Sequence, residues 1–139
     1  MLIKKRIKEE EDITDVIIEG ILDKKGEQIV SIDFSNIQNA IFKSFVICQG
    51  NSRVHVESIA DSIEDVVREK AGRKPWHKEG RNNAEWILLD YVDMVVHIFQ
   101  EKFRNYYQLE NLWADAKINH INSEKLLKKG TKLNGKSTK

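Results

Sequence analysis

Two aspartates, Asp90 and Asp93, stand three residues apart between apolar runs, Trp86-Ile-Leu-Leu-Asp-Tyr91 and Met94-Val-Val-His-Ile-Phe99. Carboxylates flanking so short a turn can hold a divalent cation through oxygen ligands. Upstream, Gly50-Asn51-Ser52 lies between an apolar strand and a helix start, where backbone N–H groups can receive an anion. That segment has neither a second glycine nor a fixed basic ligand, and Asn-Ser ahead of a helix is already accounted for as an N-cap. His97 shares one side of its strand with Val95 and Phe99. No other His or Cys stands at ligand spacing from it, so a hydrogen bond to Asp90 or Asp93 across the hairpin is expected. Seven rings (Trp86, Tyr91, Phe99, Phe103, Tyr106, Tyr107 and Trp113) crowd into 28 residues. Some must be core, but Trp and Tyr are also the usual anchors of protein interfaces. Tyr106 and Tyr107 fall on different faces of a helix, so one of them is expected at the surface. Stacking on nucleic acid is the competing use. The rings, however, are interleaved with Asp90, Asp93, Glu101 and Glu110, which repel phosphates, and a partner protein bearing Lys or Arg fits better.

These residues need a scaffold, and 139 residues suffice for one core. The net charge of +1 conceals an asymmetry: from Lys117 onward seven lysines face a single acid, Glu124, a balance of +6, whereas the preceding residues hold 16 basic and 21 acidic side chains, a balance of −5. An acidic body is steered towards basic proteins rather than DNA or RNA; the tail can touch RNA weakly. A single cysteine, Cys48, allows no internal disulfide and no thiolate zinc site. No secretory signal or membrane-spanning run is legible, which points to the cytoplasm.

Ile13, Val16, Ile17 and Ile21 recur at helical spacing, with Asp12 as the expected N-cap and Gly26 as the stop. Gln28 to Asp33 reads as a strand, and so does Ser44 to Gln49, whose nearly unbroken apolar character belongs inside a sheet covered on both faces. A second helix begins at Ser52 or Arg53, carries the stripe Val56, Ile59, Ala60, Ile63, Val66 and Val67, and ends near Gly72 and Pro75. Trp76 to Glu79 is a short strand. The two long runs form an antiparallel pair joined by a tight turn. Neither alternates cleanly, so both faces are expected to be covered, by helices or by a partner. Helical turns follow Gln100. Alternating elements of this kind predict an α/β fold: one domain with a mixed sheet of about five strands flanked by helices. Residues 1–116 make up that domain, and residues 117–139 a basic, disordered tail.

The order Glu79-Gly80, Trp86-led strand, Asp90-Tyr91-Val92-Asp93 turn, Val95-Val96-His97 and Tyr107-Gln-Leu-Glu-Asn-Leu-Trp113 resembles the ribosomal silencing factor family, also called Iojap or RsfS. Lys25-Gly26, Ile32-Asp33, Ile47-Cys-Gln-Gly50, Asn51-Ser52 and His55 to Asp61 extend the likeness over roughly residues 10 to 116. The resemblance implies a nucleotidyltransferase-like sheet topology and no chemistry of its own. It further implies docking on the large-subunit ribosomal protein numbered fourteen in the universal naming, with steric block of small-subunit joining and repression of translation. The docking residues expected on this basis are Trp86, Asp90, Tyr91, Asp93, Met94, His97, Tyr107, Glu110 and Trp113. No catalytic residue, metal or cofactor is expected. A metal-dependent nucleotide-binding or nucleotidyltransferase-like enzyme is the alternative, and a homodimer through the same aromatic face is a further one. Val92 stands where the family usually has Gly and cannot adopt positive φ cheaply. The turn is therefore expected to use another geometry, with Asp90 and Asp93 aimed differently. The basic residue Arg53 stands two places before His55, where family members commonly carry it adjacent.

Overall fold

Burial of alternate residues on long apolar strands dictates a layered molecule, and the computed structural model describes it for residues 13–107 and 116–121, without the side chains of 105–107. Among these residues three helices and six strands follow in the order α1 (Thr14–Asp23), β1 (Glu27–Asp33), β2 (Ser44–Gly50), α2 (Arg53–Ala71), β3 (His77–Glu79), β4 (Trp86–Asp90), β5 (Met94–Gln100), α3 (Glu101–Tyr107) and β6 (Lys117–Ile121). The strands make one sheet in the order β3-β4-β5-β2-β1-β6. The central pair, β2 and β5, is parallel, with Ser44 opposite Met94 and Gly50 opposite Gln100. The other pairings are antiparallel. Both central strands are almost wholly buried, as expected of strands covered on two faces.

The sixth strand corrects the expectation for the tail. Lys117–Ile121 pairs antiparallel with β1 from Asp33↔Lys117 to Ile29↔Ile121. Its apolar side chains are only Ile118 and Ile121, too few for a periodic signal. The pairing rests on backbone hydrogen bonds to the β1 edge, which no local composition reveals.

Ser52 caps α2, its Oγ accepting the His55 N–H at 3.1 Å, and Gly72 ends the helix in the left-handed conformation at φ +67°. The cap position of α1 falls on Ile13 rather than Asp12, with no side-chain cap; Asp12 lies outside the described residues. The two helices cross closely at Gly20, where a Cβ would stand 3.0 Å from the Ile63 backbone, and the Ser62 hydroxyl donates to the Gly20 carbonyl at 2.8 Å. Together they cover one face of the sheet. There Ile29, Val46, Cys48, Ile87, Leu89, Met94, Val96 and Ile98 pack against Ile17, Ile21, Ile59 and Ile63. Burial pushes the Cys48 thiol up to about 12, so it stays protonated. The opposite face carries a second cluster of Val30, Ile32, Phe34, Phe45, Ile47, Val95, Phe99 and Ala116, with Trp86 and Leu88 partly buried against it. At the upper rim Arg104 of α3 donates to the Gln28 carbonyl at a β1 irregularity and to Gln49 Oε1 at 3.4 Å, anchoring α3 to the central strands.

Candidate functional site

The antiparallel register of β4 and β5 sets Trp86 opposite Phe99, Leu88 opposite His97 and Asp90 opposite Val95. Because side chains alternate along a strand, Trp86, Leu88 and Asp90 share one face with Val95, His97 and Phe99. The Trp86 ring stacks on Phe99 at 5.0 Å between centroids, and its Nε1–H donates to His97 Nδ1 at 3.1 Å. On the other side the His97 ring meets Phe45 edge-on at 4.6 Å. Here the expected aspartate partner is replaced by an indole: Asp90 and Asp93 lie at the turn, whereas His97 is inside the strand with Trp86 diagonal to it. Accepting at Nδ1 places the proton on Nε2, which is buried and finds no partner among the described residues. Burial lowers the imidazole pKa to about 3, so His97 is neutral at physiological pH. It is a structural member of the cluster, 4% exposed, that orients Trp86.

The turn is rigid. Asp90 Oδ1 accepts the Val92 N–H at 2.8 Å, the Asp93 N–H donates to the Tyr91 carbonyl at 3.0 Å, and the Tyr91 N–H to the Met94 carbonyl at 2.8 Å. The bond from Asp93 back to Tyr91 closes a γ-turn around Val92, which lies at φ +80°. This overturns the expectation that Val92 would force a different geometry. Three hydrogen bonds and an ion pair hold the loop tightly enough for a β-branched residue to occupy a glycine-like conformation. The ion pair comes from Arg73, just past α2. Its Nη2 donates to the Tyr91 carbonyl at 2.7 Å and to Asp93 Oδ1 at 3.1 Å, while its guanidinium lies 5.9 Å from the Tyr91 ring centroid. Sequence reading missed Arg73. It sits in a polar linker without a motif, and only the return of β4 brings the turn to it.

Of the expected docking residues, Trp86, Asp90 and Asp93 are partly exposed along the sheet face and its lower margin. Tyr91 and Met94 are core side chains, 1% and 3% exposed, packed in the helix-covered cluster. The reason is their side of the sheet: Tyr91 and Met94, bridged by the Tyr91 N–H to the Met94 carbonyl, both face the helices, and the Met94 Sδ accepts from the Ser44 hydroxyl at 3.3 Å. Burial raises the pKa of the Tyr91 phenol. The Tyr107 side chain, Glu110 and Trp113 lie outside the described residues, as do the side chain of Tyr106 and its expected exposure.

Nucleotide chemistry requires the two aspartates and the Gly50-Asn51-Ser52 segment to meet. The parallel pairing separates them: the aspartates adjoin the first residue of β5, whereas Gly50 pairs with its last, Gln100. Seven strand residues put about 20 Å between the two groups. Each is also committed locally. A Cβ on Gly50 would lie 3.1 Å from the His55 ring, so glycine there admits the imidazole. His55 in turn accepts the Asn51 N–H at Nδ1, 2.9 Å away, and reaches the Lys24 carbonyl from Nε2 at 2.7 Å. Arg53 pairs with Glu57 at 3.2 Å and donates to the Asn82 carbonyl. Among the described residues no group of three or more His, Cys, Asp or Glu is arranged around a common metal position. Among the described residues no helix is long and apolar enough to cross a membrane.

An open mixed sheet with helices packed over one face, an aromatic cluster on the other and a clamped acidic turn defines the class as a single α/β domain of a specific topology. A family model described as "Ribosomal silencing factor during starvation" matches residues 7–139. The chain is 38% identical over 106 residues to ribosomal silencing factor RsfS of Halalkalibacterium halodurans, covering 76% of this chain and 89% of that protein. It is 41% identical over 96 residues to the Bacillus subtilis protein of the same name, covering 69% and 80%. A crystal structure of a Chromobacterium violaceum protein superimposes with a TM-score of 0.68 at 30% identity, over 81% of this chain and 94% of that one. The chain belongs to the ribosomal silencing factor family.

Proposed function

We propose that this chain represses translation by binding the large ribosomal subunit through its universal protein fourteen, thereby blocking association with the small subunit. The mechanism is occlusion by a bound body of 16.2 kDa, without chemistry on a substrate. The observation that carries this reading is the Trp86 group. An indole held by Phe99 and His97 is only half-buried, and it stands on the same strand face as Asp90. A fixed aromatic ring beside a carboxylate suits a partner surface that offers an apolar seat and a lysine or arginine. Asp93 adds a second charge at the turn, and the buried Tyr91 and Met94 flank it along the chain. Tyr107, Glu110 and Trp113 remain part of the proposed surface. A standard interface covers about 800 Å² on each partner, within reach of a domain this size. The lysines after Ile121 add a weak, salt-sensitive contact with ribosomal RNA. Action in the cytoplasm is part of this proposal.

The test is co-sedimentation of the full chain with isolated small subunits, isolated large subunits and assembled ribosomes, repeated after removing residues 122–139, a boundary that spares β6. Enrichment on free large subunits that survives truncation is the expected result. Equal binding to every particle, or binding only with the tail present, would refute docking by the folded domain.

A further inference from the structure

We draw no further inference here: the strongest candidate, the exposed Trp76 side chain in the linker between α2 and β3 with the adjoining cleft of about 180 Å³ lined by Glu64, Arg68, Lys74, Pro75 and Lys78, carries nothing, because Arg68 and Lys78 are already paired with Asp65 and Glu64 and nothing in the structure shows what covers the ring.

Discussion

The two faces of the sheet are built from alternate residues of the same strands, yet they differ in chemistry. One is aliphatic and closed: Ile87, Leu89, Val96 and Ile98 meet isoleucines of α1 and α2. The other carries Phe34, Phe45, Phe99, Trp86 and the His97 imidazole, arranged by ring geometry and one indole hydrogen bond. Branched aliphatic side chains fill a core densely and contribute stability, whereas stacked rings with polar handles fix an orientation and leave an edge for a partner. The closed face holds the domain together, and the aromatic face, continuing to the acidic turn, is the one proposed to meet a partner.

That division predicts effects of different size and kind. Leu89→Ala on the closed face should cost on the order of 2–5 kcal/mol of folding stability in chemical denaturation. A loss below about 1 kcal/mol would mean the helix-covered core is not close-packed. Trp86→Ala should reverse the balance, with a smaller loss of stability and about 2 kcal/mol of affinity for large subunits. Equal affinity of the folded variant would remove Trp86 from the docking surface. The neutral, buried His97 should couple the aromatic face to pH. Its folded pKa of about 3 lies below the unfolded value, so the unfolded chain binds the extra proton between those limits. Its contribution is complete above pH 6.5 and is lost as pH falls towards 3, with a slope of at most about 1.4 kcal/mol per pH unit. His97→Gln should flatten the midpoint-versus-pH profile in that range, and an unchanged slope would refute the assignment. The smallest effect is expected at the turn, where Arg73→Ala should cost about 1 kcal/mol in stability by freeing the Asp93 carboxylate and the Tyr91 carbonyl. A double variant with Asp93→Asn separates that ion pair from the carbonyl bond.

Much of this was legible. The Val56, Ile59, Ile63 and Val67 stripe between Ser52 and Gly72 specified α2 with both caps, because helical period and capping chemistry act within a few residues. The unbroken apolar run of β2 announced a central strand, and the antiparallel pairing of β4 and β5 followed from two runs and a short turn. The site was only half legible. Trp86, Asp90 and Asp93 were chosen by type and place, but residue type did not separate the half-buried Trp86 from the buried Tyr91 and Met94. Those assignments depend on which side of the sheet each residue takes in the fold. β6 was missed for the same reason: its place comes from the β1 edge, far away in sequence.

By itself the sequence determined the local order of helices and strands, the acidic body with its basic extension, and the motif order that marks the family, since all of these are set by neighbours along the chain. Only the tertiary structure decided that Arg73 clamps the Asp90–Asp93 turn, that Trp86 rather than an aspartate holds His97, and that the turn and Gly50 lie at opposite ends of the sheet. Those relations depend on strand order and register, which arise from long-range burial and backbone pairing, and no local window of residues carries them.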